Sequence, residues 1–306
     1  MDLGLRGKHA IVTGGSLGIG KAIARELARE GVDVAIVART KAQLEAAARE
    51  LAGETGQRII SLVADVTSKE QVDEMVAQAV RQLGGLHILV NSGSPPGGSA
   101  TATGPIETIV DEDLLHDFNV KYVGALRCAR AAIPHLKAQK WGRIINISGT
   151  NARNAGNLSG GARNTSLVHF TKTLAVQLGR FGITVNCIHP GITRTERTPR
   201  LLAARAAELR IAPEEVERRD YADDSPRGNA IGRMVDAAEV ADVAVFLASD
   251  RAWAVTGELV VATGGAGKEN FPAFSQVIFR VTSAGRFANC SVMYFSDSGH
   301  TPSGCG

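Results

Sequence analysis

The chain is 306 residues long and 44% of its residues are hydrophobic, which predicts a folded protein with a large buried core. Its 34 basic and 31 acidic residues leave a formal charge of +3, an excess too small and too evenly spread to indicate a nucleic-acid partner. The four cysteines form no CxxC pair and no apolar stretch approaches the roughly 20 residues of a membrane span, so we expect no metal and no membrane partner.

The N-terminal segment MDLGLRGKHAIVTGG lacks the charged stretch, apolar run and cleavage site of a signal peptide. Cys128, Cys187, Cys290 and Cys305 lie far apart in the sequence, and we expect them to be free thiols. Both features favour a cytoplasmic protein.

From residue 9 onward, short apolar runs alternate with longer amphipathic segments. Such runs are typical of parallel strands buried on both faces, and strict alternation with helices predicts right-handed crossovers. The predicted strands span residues 9–13, 34–38, 59–64, 86–90, 143–147, 184–188 and 259–262. The predicted helices span residues 19–30, 41–51, 69–83, 111–136, 167–180 and 237–248. This order predicts an α/β fold, a single doubly wound Rossmann domain over residues 1–267 with a parallel sheet of about seven strands.

Two segments interrupt the alternation. Residues 194–233 are highly charged, and we expect them to form an excursion that covers the substrate site. Residues 268–306 are rich in Phe, Ser and Gly without helical periodicity, and we expect an atypical C-terminal extension. Within it, residues 271–295 fit either an added strand or subunit contact, or a disordered tail.

The first strand leads into a glycine-rich segment, residues 13–20, which we call the phosphate loop. Its glycines permit a tight turn, and the following helix offers free N–H groups and the positive end of its dipole to a pyrophosphate. A glycine motif alone has low specificity, but this one lies inside a complete β-α-β unit. We therefore predict dinucleotide binding by Gly14, Ser16, Leu17, Gly18, Ile19 and Gly20.

The end of the second predicted strand indicates which dinucleotide is bound. An acidic residue there would accept a hydrogen bond from the ribose 2′-hydroxyl of NAD, but the sequence is Val37-Ala38-Arg39-Thr40. Arg39 would instead pair with the 2′-phosphate of NADP, unless it is only a solvated loop residue. NADP is therefore favoured over NAD as the cofactor.

Further polar and glycine-containing motifs follow the later strands. They are Asp65-Val66, Asn91-Ser92-Gly93-Ser94, Asn119, Ser148, the PGxxxT segment 190–195, Thr256-Gly257 and Gly264-Gly265. Together with the phosphate loop, these motifs resemble the short-chain dehydrogenase/reductase family over about residues 5–265. The resemblance is nearest to the 3-oxoacyl-carrier-protein-reductase-like members.

The resemblance implies roles for the matched residues. Asp65, with Val66, would bind the adenine, Asn119 would order an active-site water, and Ser148 would be catalytic. Further cofactor contacts implied by the resemblance are Asn91, Ser92 and Gly93, together with Pro190, Gly191, Ile192 and Thr195 around the nicotinamide carboxamide. It also implies a small-molecule substrate and a homo-oligomer, either a dimer or a tetramer.

The resemblance fails at the residues that should transfer the proton. In the family, a tyrosine lies about 13 residues after the catalytic serine, and a lysine four residues further on lowers its pKa. Counting from Ser148 leads to Gly161 and Thr165. The sequence therefore predicts a degenerate active site without the tyrosine–lysine pair.

No other tyrosine restores this pair. None of Tyr122, Tyr221 and Tyr294 is followed by a lysine four residues later. Tyr122 fits a core position, Tyr221 lies in the charged excursion from which it could swing inward, and Lys172 is interpreted as a solvated helix residue.

The same stretch brings new groups to the expected site. Gly160 and Gly161 each cost about 1 kcal/mol in a helix interior, so we expect this helix to begin late or to be reshaped. Asn164 and Arg163 are polar residues close to the site. Arg163 fits either the binding of an anionic substrate or of the cofactor phosphates, or a surface position.

Two main functions remain open. An oxidoreductase acting on a carbonyl/alcohol or enoyl substrate would rely on Ser148 and on the water ordered by Asn119, because hydride transfer is the cofactor's own chemistry. A catalytically inactive NADP-binding sensor or regulatory subunit would keep the phosphate loop and lose the pair. A lyase or epimerase is favoured only by the missing tyrosine. The retained Asn119, Ser148 and Thr195 favour the oxidoreductase.

Overall fold

The structure, a computed structural model, describes residues 2–94, 97–222, 224–225 and 227–266. The predicted extension 268–306, with Tyr294, Cys290 and Cys305, lies outside the described residues. The strands are β1 His9–Thr13, β2 Asp33–Ala38, β3 Ile59–Val63, β4 Ile88–Asn91, β5 Gly142–Ile147, β6 Ile183–Pro190, β7 Thr193–Arg194, β8 Val235–Asp236 and β9 Leu259–Ala262. The helices are α1 Gly18–Arg29, α2 Lys41–Thr55, α3 Lys69–Leu83, α4 Asp111–Phe118, α5 Gly124–Gln139, α6 Leu158–Leu178, α7 Thr198–Leu209, α8 Pro213–Asp220 and α9 Ala237–Ala248.

The central sheet has seven strands in the order β3-β2-β1-β4-β5-β6-β9, and all neighbours are parallel. This confirms the predicted fold class. The strand order reverses between β1 and β4, so a crevice opens beyond their carboxyl ends, where doubly wound sheets bind ligands. Strands β7 and β8 form a separate parallel pair at the two ends of the charged excursion.

Alternate residues of each strand pack into two hydrophobic cores, one on each face of the sheet. Val12 and Ile36 point to one face, where they pack with α1, α2 and α9. Ile11 and Val37 point to the other face, where they pack with α3, α5 and α6. Because side chains alternate along a strand, apolar residues at every position are what a sheet covered on both faces requires.

Two predicted helices differ from the observed ones. The helix predicted over 111–136 is divided into α4 and α5 by a π turn at Asn119–Val123. Helix α6 begins at Leu158, nine residues before the predicted start, so the expectation of a late start is wrong. The Asn157 side chain accepts a hydrogen bond of 2.6 Å from the Gly160 N–H, and this cap offsets the low helix propensity of the two glycines.

The charged excursion has secondary structure of its own. It contains α7 and α8, and ion pairs of Arg194 with Glu217 and of Arg205 with Asp220 join its parts. Within the described ranges, no helix is both long and apolar enough to cross a bilayer.

Candidate active site

The phosphate loop follows β1 and is shaped by close backbone contacts. A Cβ on Gly20 would lie 2.4 Å from the Gly14 carbonyl oxygen, and a Cβ on Gly14 would lie 2.6 Å from the Ser92 carbonyl oxygen. Gly14 and Gly18 both have positive φ, 67° and 58°. These positions require glycine, so the loop can bring its backbone close to a ligand.

The amino end of α1 already binds a carboxylate. The Gly18 N–H donates to Glu196 Oε2 at 2.9 Å, and Lys21 Nζ lies 3.7 Å from Glu196 Oε1. Free N–H groups and the helix dipole attract anions at such an end. Glu196 was missed at the sequence level, because nothing in its spacing shows that the segment after β6 returns to this helix.

The segment after β6 brings its predicted residues to the same edge. Pro190 ends β6, the Gly191 N–H donates to the Ala262 carbonyl, and Ile192 is half exposed. The Thr195 methyl carbon lies 3.5 Å from the position of a Cβ on Gly18. The predicted nicotinamide segment and the phosphate loop therefore lie side by side.

Arg39 and Asp65 follow neighbouring strands, β2 and β3. Arg39 Nη1 lies 3.9 Å from Asp65 Oδ2, and 64% of the Arg39 side chain is exposed. Burial would raise the pKa of Asp65, but hydrogen bonds from Thr67 and the charge of Arg39 outweigh it, so the pKa is lowered. Next to them, Val66 packs against Gly124 at the start of α5. The exposed guanidinium is available to a phosphate.

Thr13 fixes the predicted segment after β4. Its Oγ1 accepts hydrogen bonds from the N–H groups of Ser92 and Gly93, both at 3.1 Å. Asn91 Nδ2 donates to Asn146 Oδ1 at 2.9 Å, which joins the carboxyl ends of β4 and β5. These bonds hold the loop after β4 against the phosphate loop.

The two predicted catalytic residues are Ser148 and Asn119. Both side chains form hydrogen bonds with other groups of the protein. Ser148 is 5% exposed, and its Oγ donates to the Asn164 carbonyl oxygen at 3.0 Å. Asn119 Oδ1 accepts from Arg127 Nη1 at 2.8 Å. In this geometry the Ser148 hydroxyl is bonded to main chain beside α6, and the Asn119 carboxamide is bonded to α5.

The residues counted from Ser148 lie at the start of α6. Gly161 is half-buried and Thr165 is exposed, whereas their neighbours Gly160 and Asn164 are buried. None of these four positions holds a tyrosine or a lysine. That Gly161 and Thr165 stand where the family has its pair stays a prediction.

Arg163 and Asp117 are buried residues of opposite charge that interact electrostatically near the start of α6. Arg163 is 3% exposed, so the alternative of a surface position is wrong, and its Nη1 donates to Ser94 Oγ at 2.8 Å. Asp117, on α4, accepts hydrogen bonds from Ser99 and Ser159. Burial raises the pKa of Asp117, but these bonds and the Arg163 charge lower it below its usual range. Arg163 therefore already has an anionic neighbour, which disfavours an anionic substrate.

Several buried polar atoms around this edge have no hydrogen-bond partner among the described residues. They are Asn91 Oδ1, Arg163 Nε, Asn164 Oδ1 and His189 Nε2. His189 Nδ1 accepts from the Gly149 N–H, and burial with nearby positive charges lowers the pKa of His189 to about 4, so its Nε2 carries a hydrogen. An unpaired buried polar atom is costly, so several of them at one edge indicate a ligand site.

The remaining candidates lie away from these atoms. Tyr122 packs between Phe118 and Phe170, at ring-centre distances of 5.0 and 5.8 Å, and so belongs to the core. Tyr221 is buried within the excursion. Lys172 is exposed and lies 3.7 Å from Glu258.

Comparison with known proteins gives one family. A family model described as enoyl-(acyl carrier protein) reductase matches residues 14–267. The short-chain reductase protein NovJ of Streptomyces niveus is 32% identical over 257 residues, which cover 84% of this chain and 92% of NovJ. A cyclohexanol dehydrogenase of a Rhodococcus species is 33% identical over 283 residues, covering 86% of this chain and 97% of the relative.

A solved structure has the same fold. It is the L-sorbose reductase of Gluconobacter frateurii in complex with NADPH and L-sorbose, with a TM-score of 0.81 and 30% identity. The match covers 88% of this chain and all of the reductase chain.

Proposed function

Because this chain belongs to the short-chain dehydrogenase/reductase family, we propose that it is an NADP-dependent oxidoreductase that interconverts a carbonyl and an alcohol. Its relatives include a named reductase and a named alcohol dehydrogenase, and the L-sorbose reductase structure contains NADPH. The description of the matching family makes the reduction of an enoyl substrate the variant to test beside it.

One observation carries the proposal: the phosphate loop, Arg39 and the segment 190–195 meet at one edge of the sheet, and the amino end of α1 there already binds a carboxylate. The α1 N–H groups would bind the pyrophosphate, Arg39 the 2′-phosphate, and Asp65 the adenine. Bound NADPH would supply the hydride. The residues of this chain would have to bind and orient the cofactor and the substrate and to supply the proton.

A second candidate is a catalytically inactive NADP-binding sensor or regulatory subunit. It is favoured by the sequence at the start of α6, where Gly161 and Thr165 stand at the positions at which the family has its tyrosine and lysine. The Ser148 hydroxyl would have to leave the Asn164 carbonyl, and the Asn119 carboxamide would have to leave Arg127, before either side chain contacts a substrate. The two candidates share the cofactor and differ only in turnover.

Nucleotide titrations test the cofactor. We expect NADPH to bind more tightly than NADH by fluorescence, and Arg39→Ala to weaken NADPH by about 10- to 100-fold while leaving NADH unchanged. Arg29→Ala is the matched control, because Arg29 is similarly exposed but lies at the far end of α1 with Glu26 as its partner. Equal loss in both variants would contradict the role of Arg39.

Turnover then separates the two candidates. The titrated samples are mixed with ketones, quinones and enoyl thioesters, and NADPH absorbance is followed. Consumption that depends on any of these substrates supports the oxidoreductase. Tight binding without consumption supports the inactive candidate, and no binding of either nucleotide contradicts both.

We also propose that the protein forms a homo-oligomer, a dimer or tetramer, as the family resemblance implies. Apolar side chains are exposed at Leu115 on α4, Val176 on α6 and Val261 on β9. Light scattering coupled to size exclusion measures the mass directly, and a monomer at micromolar concentration would contradict this proposal.

A further inference from the structure

Lys121 lies in the π turn that separates α4 from α5. A π turn contains one more residue than an α-helical turn and changes the direction of the side chains that follow, and such turns are frequent at functional sites. Here it places Lys121 Nζ 3.0 Å from the Ser148 carbonyl oxygen, to which it donates a hydrogen bond. A lysine on the helix between β4 and β5 therefore reaches the end of β5.

Lys121 also lines a small, partly open pocket at the carboxyl ends of β1 and β4. The same pocket is lined by Thr13, Asn91, Ser92, Gly93 and Ser94. These are the residues that hold the loop after β4 against the phosphate loop. Lys121 thus lies in the part of the crevice to which the proposed function assigns the cofactor.

The charged and titratable groups that face Lys121 belong to two elements, α6 and β6. Arg163 approaches from α6, and Cys187 and His189 approach from β6. Lys121 forms no ion pair with a carboxylate in the described part of the chain. Burial, together with the positive charge of Arg163, lowers the pKa of Lys121 to about 7, although Cys187 acts in the opposite direction.

A lysine whose pKa is lowered to about 7 is suited to donate a proton near neutral pH. General acid–base catalysis is most effective when the pKa of the donor is close to the working pH, and buried lysines are recruited for it for that reason. The neighbouring groups are poorer donors: the Ser148 hydroxyl is bonded to main chain, Arg163 stays charged, and His189 is neutral.

We infer that Lys121 is the general acid–base of this protein and supplies from the α4–α5 turn the proton that the family takes from the tyrosine before α6. The inference rests on the proposed oxidoreductase function. In reduction, the carbonyl carbon gains the hydride from NADPH, the electron pair of the C=O π bond moves to oxygen, and the oxygen takes a proton from the Lys121 ammonium. The carbonyl is reduced to an alcohol, NADPH is oxidised to NADP⁺, and the neutral Lys121 amine recovers a proton from water.

The inference separates Lys121 from a residue that only binds the cofactor. Lys121→Met keeps an unbranched side chain that is one heavy atom shorter, and it removes the ammonium group. Lys121→Arg keeps the positive charge but does not release a proton near neutral pH. Lys172→Met is the matched control, since Lys172 is an exposed lysine paired with Glu258 on the outer side of α6.

The experiment uses the full chain and three measurements: NADPH affinity by fluorescence, the pH dependence of kcat/KM for a substrate found in the panel, and ¹³C NMR of labelled lysine Cε. We expect Lys121→Met and Lys121→Arg to lose about 100- to 10,000-fold in kcat/KM with little change in NADPH affinity, and Lys172→Met to behave like the wild type. Wild-type reduction should weaken as pH rises above 7, because the donor must be protonated. This pH dependence should vanish in Lys121→Met.

The NMR measurement does not depend on activity. One lysine signal should titrate near pH 7 in the wild type and be missing from Lys121→Met. A Lys121 signal that titrates near the usual lysine pKa overturns the inference, as does full activity in Lys121→Met or recovery in Lys121→Arg. A wild type that binds NADPH but turns over no substrate overturns the proposed function and this inference together, whereas active variants overturn the inference alone. If Lys121→Met does not fold, Lys121→Arg and the wild-type titration still decide.

Discussion

The two ends of the central sheet bury charged and polar groups in opposite ways. At the amino end, Arg143 is fully buried, yet its guanidinium donates to the carbonyls of Gly142 and Ser249 and pairs with Asp250 at 3.2 Å. Two indole rings, Trp141 and Trp253, lie against it, with ring centres at 4.1 and 4.9 Å. These hydrogen bonds, the ion pair and the indole contacts compensate the buried charge of Arg143. Arg143 therefore contributes to the stability of the fold.

At the carboxyl end, the buried polar groups are only partly paired. Lys121 has a carbonyl as a partner but no carboxylate, and Asn164 Oδ1 and His189 Nε2 have no partner within the described ranges. Among the described residues, the amino end has one such atom, His9 Nδ1. Burial without full pairing costs stability, so such groups are typical of a site where a ligand or ordered water completes the pairing. The two ends thus separate polar groups that hold the fold from polar groups that are left open for function.

The largest expected effect is at the amino end. Arg143→Met should lower the free energy of unfolding by about 3 kcal/mol, because two buried carbonyls lose their donor and both indole contacts with the cation disappear. Urea unfolding measures the change. Arg81→Met, at an exposed arginine on α3, should change it by less than about 0.5 kcal/mol. A loss confined to NADPH binding, with unchanged stability, would show that Arg143 does not stabilise the fold.

At the carboxyl end, we expect removal of a buried cation to raise the free energy of unfolding, whereas removal of Arg143 lowers it. Below pH 7 the folded protein carries the buried Lys121 ammonium at a cost, since its pKa is lowered from 10.5 to about 7. The unfolded chain binds this proton more tightly, so the wild type gains stability as pH rises from 7 toward 10.5. Lys121→Met should therefore be more stable than the wild type by about 2 kcal/mol at pH 6, an amount reduced for partial solvent access.

Urea unfolding at pH 6 and pH 9 checks this prediction. The stability difference between Lys121→Met and the wild type should shrink at the higher pH, because the wild type is then neutral at Lys121. A Lys121→Met variant that is less stable than the wild type at both pH values would show that Lys121 stabilises the fold as Arg143 does.

The sheet was predictable from sequence because its signals are local. The apolar runs, the glycines at Gly14, Gly18 and Gly20, and the missing acid at Arg39 each carry their meaning within a few residues. The site was less predictable, because its geometry depends on hydrogen-bond partners that are distant in sequence and on loops. The Ser148 hydroxyl donates to the Asn164 carbonyl, a contact that no local pattern in the sequence indicates.

The role of Lys121 was harder still to predict from the sequence. Its position two residues after Asn119 gives no signal, since an ideal α-helix over 111–136 would direct it differently. Only the π turn and the distance of 3.0 Å to the Ser148 carbonyl mark it as part of the site. Glu196 is a second case, because its contact with Gly18 joins residues 178 positions apart.

Each end of the sheet also holds a histidine with a lowered pKa. His87 Nδ1 accepts from the His9 N–H at the amino end, and His189 Nδ1 accepts from the Gly149 N–H at the carboxyl end. Burial is the main cause that lowers the pKa of each to about 4. Unfolding raises these pKa values to about 6.5, so their stabilising contribution is complete above pH 6.5 and is lost as pH falls toward 4.

Each histidine should contribute about 1 to 2 kcal/mol to this acid destabilisation, given that His87 is only half-buried. Asparagine can accept the same backbone hydrogen bond without titrating, so His87→Asn and His189→Asn should each flatten the fall in stability between pH 6.5 and pH 4. Chemical unfolding across this range measures the slope. An unchanged slope in either variant would show that this histidine does not titrate as its surroundings indicate.

The smallest expected effect concerns the anion site at α1. The Glu196 carboxylate accepts from the Gly18 N–H, the group that the proposed function assigns to a pyrophosphate, so NADPH has to displace it. Glu196→Gln keeps the shape and removes the charge. We expect it to tighten NADPH binding by about two- to fivefold, the size of one charge interaction at an exposed helix end, and the gain should shrink at high salt. Glu208→Gln, on α7, should leave the affinity unchanged. A weaker affinity in Glu196→Gln would instead place the Glu196 carboxylate among the groups that support the bound nucleotide, and the carboxyl end would then be more completely paired than the comparison of the two ends assumes.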